Sequence, residues 1–167
     1  MNGRFWAGFG IGIGVFSIAL TIILWFMGVF SPPELPKAHI TALHFGGEEI
    51  TDFQQSVKAP RILTIVGQSL DVPSDWTVWV CVFPLEAQRY YPQREPVSNS
   101  GIWQLEDVCL GSEETADTSK TFIINLVVAD ADATKQLYKY AQYVFTGMER
   151  LPNGAVICDE VLASRSE

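Results

Sequence analysis

From Phe5 to Phe30 the chain reads FWAGFGIGIGVFSIALTIILWFMGVF, 26 residues without a charge or a proline. As a helix rising about 1.5 Å per residue this run would extend about 39 Å, enough to cross a hydrocarbon core of about 30 Å with some tilt. In lipid the backbone must satisfy its own polar groups, and one continuous helix does that. The sequence therefore predicts a membrane-spanning helix over 5–30. Trp6 and Trp25, near its ends, suit the interfacial belt, where an indole keeps one edge wet. A cleaved secretory leader has an apolar region about half as long, and no small-x-small cleavage site follows, so the expected segment is an uncleaved anchor.

The anchor divides the chain into a tail (1–4), the span (5–30), a linker (31–37) and one domain (38–167). Ser31-Pro32-Pro33-Glu34-Leu35-Pro36 cannot continue a helix, because each proline lacks a donor and restrains the residue before it. Arg4 and the amino terminus precede the span, whereas Lys37 and Glu34 offset each other after it, which favours an extracytoplasmic domain. Beyond the span the chain has 10 basic and 19 acidic residues, a charge of −9. A nucleic acid polymer is excluded as an expected partner, since phosphate binding needs a basic face. Three cysteines, Cys81, Cys109 and Cys158, cannot all pair within one chain; three buried thiols are expected, with a Cys81–Cys109 pair as the alternative. Unpaired thiols favour the cytoplasm, so this clue opposes the charge asymmetry.

One side of the anchor is made of small residues. Gly10, Gly14, Ser17 and Thr21 follow one another at spacings of three or four, with Gly3, Ala7 and Gly28 on the same arc. Small residues let two helix backbones approach in lipid, so this face is the candidate helix–helix interface of a homo-oligomer.

Downstream the pattern changes from helical to extended. His39 to His44 reads as a strand, its two histidines five apart and expected on opposite faces. Gly46 to Glu49 is a turn and Asp52 to Val57 an irregular piece. Arg61 to Leu70 is β-branched and ends near Gly67, and Trp76 to Phe83 is an almost unbroken apolar run closed by Pro84, as in a strand buried on both faces at the centre of a sheet. Arg89 to Arg94 is short, and Pro92 confines it to an edge or a bend. Ile102 to Leu110 and Thr121 to Ala129 are further strands, separated by an acidic solvated loop at 112–120. Asp130 or Asp132 can cap a helix from Ala133 to about Phe145, and Ala155 to Leu162 is the last strand. Five to seven strands with one short late helix predict a mainly β fold, an immunoglobulin-like antiparallel β-sandwich.

Trp79-Val80-x-Val82-x-Pro84, Arg89-Tyr90-Tyr91-Pro92-Gln93, Gly101-x-Trp103 and Gly111 together resemble a small β-sandwich module of diverse bacterial proteins. Phe122, the Ala129-Asp130 step and Leu151-Pro152 extend the resemblance, which covers about residues 60 to 165. It implies a fold and a ligand- or partner-binding role, with no catalytic residue to carry over.

The supply of reactive groups is thin. There is no GxSxG elbow, HExxH, Walker loop or CxxC, so hydrolase, zinc-protease, nucleotide-hydrolysis and thioredoxin chemistry lose their usual signatures. Asp130-Ala-Asp132 could hold a cation, but a helix cap explains it with one carboxylate. No enzyme, cofactor or metal is expected. The candidate ligand-binding set is Arg89, Tyr90, Tyr91, Gln93, Arg94 and Trp103, side chains able to stack on a ring while donating hydrogen bonds. The expectation is a single-pass binding protein that meets the bilayer, a copy of itself and a protein or small molecule. Its alternatives are a cytoplasmic sensor-effector binding a nucleotide-like ligand, or a subunit of a larger membrane complex.

Overall fold

The computed structural model describes residues 36–113, 117–144 and 146–166. The segment 5–30, expected to span the membrane, with the expected interface residues Gly10, Gly14, Ser17 and Thr21, and most of the expected linker lie outside the described residues. Among the described residues no helix is long and apolar enough to cross a membrane.

The domain is mainly β. Its strands are β1 (Lys37–Phe45), β2 (Glu48–Ile50), β3 (Val57–Ala59), β4 (Ile62–Leu70), β5 (Thr77–Pro84), β6 (Tyr91–Pro92), β7 (Gly101–Cys109), β8 (Thr121–Ala129) and β9 (Ala155–Arg165), with one helix, α1 (Ala131–Tyr143), between β8 and β9. They form a four-stranded sheet ordered β2-β1-β4-β7 and a five-stranded sheet ordered β3-β9-β8-β5-β6. Alternating residues from both sheets meet in one core, with Ile40, Leu63, Ile65 and Val108 from the first against Val80, Val82, Ile124 and Val161 from the second. Period-two side-chain alternation sends these residues to the shared interior.

The Trp76–Phe83 run is apolar throughout because β5 is covered twice. Val78, Val80 and Val82 enter the shared core, while Trp79 and Cys81 face a second core under α1, with Val127, Ala133 and Leu137. β5 is not at the centre of its sheet as expected; β8 is, and β5 is flanked by β8 and the two-residue β6. Burial on both faces reflects a helix layer here, not a central position.

α1 starts where its cap directs. Asp130 Oδ1 accepts from the backbone N–H groups of Asp132 (3.0 Å) and Ala133 (2.8 Å), satisfying two donors that the first turn leaves unpaired. The helix begins two residues before the expected Ala133 and ends at Tyr143. Ala133 and Leu137 are buried and Tyr140 and Ala141 half-buried, giving the helix one apolar face.

Three further expectations fail. β3 runs parallel to β9, so the fold is not wholly antiparallel. A bulge between Ile40 and Ala42 inserts one residue into β1, so His39 and His44 pair with Gln68 and Thr64, four apart on β4. The two histidines therefore share the outer face of the sheet. Gly67 does not end its strand either, since β4 continues to Leu70.

Candidate functional site

The candidate residues lie on the segment that leaves β5 and on β7. After Pro84 the chain turns, with Gln88 N–H donating to the Pro84 carbonyl (3.1 Å), and Tyr90 exchanges two backbone hydrogen bonds with Met148 (2.8 and 2.9 Å). Tyr90 and Tyr91 then point to opposite sides, as strand alternation predicts. The Tyr90 ring lies 4.6 Å from that of Phe83 and joins the helix-side core. Tyr91 pairs with Val82, on the side of the shared core, and its ring lies so close over Gly147 that a Cβ there would fall 2.7 Å from Tyr91 Cζ.

Tyr91 and Gln93 come together in a cleft of about 490 Å³ between the free edges of the two sheets. Val82, Pro84, Cys109 and Phe122 form its apolar floor, and Glu86, Ser112, Asp117 and Lys120 its polar mouth. Its residues come from the ends of β5 and β7 and the start of β8, the end of the fold opposite Pro36. A nine-residue strand rising about 3.3 Å per residue separates the two ends by about 26 Å.

Gln93 links the sheets across the cleft. Its backbone N–H donates to the Val80 carbonyl (2.9 Å), its Nε2 to the Tyr91 carbonyl (3.3 Å), and its Oε1 accepts from the Cys109 N–H on β7 (3.3 Å). The mouth is organised around Asp117, whose Oδ2 accepts from Ser112 N–H (2.6 Å) and Ser112 Oγ (2.8 Å) and whose Oδ1 accepts from Lys120 Nζ (3.0 Å). Buried Arg165 approaches to 3.8 Å. The Ser112 amide, then Lys120 and the Ser112 hydroxyl, hold the Asp117 carboxyl at about 2, below the ordinary carboxylate range. Lys120 also reaches Glu86 (3.2 Å), and its two carboxylate partners raise its pKa, Asp117 first.

The other expected site residues are elsewhere. Arg89 donates to the Thr146 carbonyl (3.2 Å) and to Glu149 (3.0 Å), fastening the turn after α1. Arg94 is exposed, and its carbonyl accepts from Gln142 Nε2 (2.6 Å). Trp103 is 5% exposed. Its Nε1 donates to Ser69 Oγ (2.9 Å) and its ring fills the space above Gly67, so it is a core residue and does not join the set.

The cysteines are unpaired. Cys81 and Cys109 belong to different sheets, which leaves the alternative Cys81–Cys109 pair unformed. Burial pushes the Cys81 thiol up, and desolvation raises that of Cys158, which donates to the Pro36 carbonyl (3.3 Å). Asp132 pairs with Lys135 (2.9 Å), and among the described residues no group of acidic, histidine or cysteine side chains is placed to hold a metal.

Chemically, the cleft can bury an apolar body on Phe122 and Val82 and meet polar atoms at its mouth. Asp117 is occupied by donors from Ser112 and Lys120, and both histidines lie away from the cleft, on the outer face of the four-stranded sheet. Sequence reasoning missed Val82, Asp117, Lys120 and Phe122 as cleft residues. The Asp117-x-x-Lys120 spacing was the only local signal, and it looked like a solvated loop.

The chain matches no protein family, no curated protein and no solved structure.

Proposed function

We propose that this is a single-pass membrane protein whose 5–30 segment anchors an immunoglobulin-like β-sandwich that binds a ligand and performs no catalysis. The observation that carries the binding reading is the cleft of about 490 Å³, within the range of about 300–1,000 Å³ typical of small-molecule sites. The immunoglobulin-like assignment is supported by connectivity. β1, β4 and β7 take the places of strands A, B and E, and β5, β6, β8 and β9 those of C, C′, F and G, with α1 inserted between the last two.

Iodoacetamide alkylation of the full chain, read by mass spectrometry of the cysteine peptides, tests the cleft. Cys109 lines it, half-buried Cys158 is an internal reference and buried Cys81 should stay unmodified. Indole, benzoate and benzamidine serve as neutral, anionic and cationic probes. Saturable protection of Cys109 without protection of Cys158 is expected for at least one probe; equal rates with all three would refute the cleft as a site.

Self-association through Gly10, Gly14, Ser17 and Thr21 belongs to the same proposal. Replacing Gly10 and Gly14 by Ile should weaken association in a membrane two-hybrid assay, and unchanged association would remove it. Three unpaired thiols favour a second reading, a cytoplasmic sensor-effector. Cysteine labelling from each side of the membrane separates the two.

A further inference from the structure

The cleft continues past Gln93 into a second furrow of about 520 Å³ beside β7. Arg94 and Glu95 form one bank, and Gln104, Glu106 and Asp107 the other. β7 is the last strand of its sheet, so its outer edge has no strand neighbour. One backbone donor on that edge, Cys109 N–H, is met by the side-chain amide of Gln93, which stands where the carbonyl of an adjacent strand would be. A nine-residue edge of this kind is a template for an added strand. After the two-residue β6 the chain continues beside β5, with Gln93 and Val97 N–H donating to the Val80 (2.9 Å) and Val78 (2.8 Å) carbonyls, and the furrow lies between this segment and β7. Asp107, at φ +56°, forms a bulge with Glu106 that divides the edge, leaving Gly101 to Leu105 as its longer regular stretch.

Charge selects the occupant. Glu95, Glu106 and Asp107 are exposed along the furrow, with Arg94 the one cation on its banks, and the chain beyond the span carries −9. A second copy would bring the same negative charge to the edge, which opposes association, whereas a basic segment is attracted.

We propose that the furrow receives an extended, basic segment of a partner protein as an added strand on β7. One apolar side chain enters the cleft over Phe122, and flanking Lys or Arg side chains meet Glu95 and Glu106. This rests on the cleft reading above and names its ligand class.

The test uses the full chain in a non-ionic detergent and the fluorescein-labelled heptapeptide amide Lys-Val-Lys-Val-Lys-Val-Lys, followed by fluorescence anisotropy. Saturable binding that slows Cys109 alkylation is expected, and the Glu-Val counterpart should bind about tenfold more weakly or not at all. Methylating alternate peptide nitrogens on the pairing edge should abolish binding, because those donors carry strand addition. E95Q/E106Q, which keeps an acceptor for Gln104 Nε2 at 106, should weaken it about tenfold. Undiminished binding of the methylated peptide, or of E95Q/E106Q, would overturn strand docking, as would a dimer that occludes β7. If at least one of the three small probes protects Cys109 while the peptide fails to bind, the cleft stands and the added strand falls; if no small probe protects Cys109 and the peptide does not bind, both fall.

Discussion

Replacing Gly67 by Ala isolates the packing of Trp103. Gly67 lies in mid-strand, its φ outside the left-handed region, so alanine meets no backbone strain and should by itself favour the strand by about 0.5–1 kcal/mol. The added Cβ would fall on Cζ2 and Cη2 of Trp103 and 2.6 Å from the His39 carbonyl oxygen. Carbon atoms settle about 3.5–4.0 Å apart, so the indole would have to retreat by more than about 1 Å. It has nowhere to go: the ring is 5% exposed and held at Ser69 Oγ, which in turn donates to the Ser98 carbonyl (3.0 Å). Overpacking costs about 1–3 kcal/mol, and a lost buried hydrogen bond about 1 kcal/mol more. The expected net destabilisation is about 2 kcal/mol, measured by urea unfolding of a 36–167 fragment followed by far-UV circular dichroism. Trp103→Leu alone should cost about 2–4 kcal/mol through the cavity it leaves. In Gly67→Ala/Trp103→Leu the methyl enters that cavity, so the double variant should be about 2 kcal/mol more stable than additivity allows. Gly67→Ala within about 0.5 kcal/mol of the parent, or strict additivity, would refute the reasoning.

Asp117→Asn should destabilise the domain by about 1–2 kcal/mol at pH 7. The folded-state pKa is lowered to about 2, so the carboxylate's stabilisation is complete above its unfolded value and is lost as pH falls from about 4 toward 2. Parent and variant stabilities from urea unfolding should therefore converge over that window, and a constant gap down to pH 2 would exclude Asp117 as the cause. Asp130→Ala removes the acceptor for two helix-start donors and should cost about 1 kcal/mol, with faster amide exchange confined to the first turn of α1. Gly154→Ala should cost more, since Gly154 adopts φ +88° and its Cβ would meet the Asp130 carboxylate; a cap-sized loss would show that the carboxylate simply moves aside.

The sequence by itself determined the features whose physics is local. β-branched runs placed β4, β5, β7, β8 and β9 closely, Asp130 and Asp132 were the two candidate caps of α1, of which Asp130 is the one used, and Pro92 confined its segment to an edge or a bend, where β6 is an edge strand. Only tertiary structure decided the rest. A one-residue bulge in β1 moved His44 onto the face of His39, because side-chain alternation has a period of two and one insertion reverses everything after it. Trp103 carries both an aromatic face and a donor, so composition alone could not tell a ligand platform from a core residue; the missing Cβ of Gly67 and the hydroxyl of Ser69 directed it inward. The cleft joins Val82, Gln93, Cys109 and Phe122, which meet only when two sheets close on one core. Of the expected ligand set, Tyr91 and Gln93 reached that cleft and Arg94 its continuation, whereas Tyr90 and Trp103 entered cores and Arg89 secured a turn, because pairing between distant strands decides which face of an edge segment is covered.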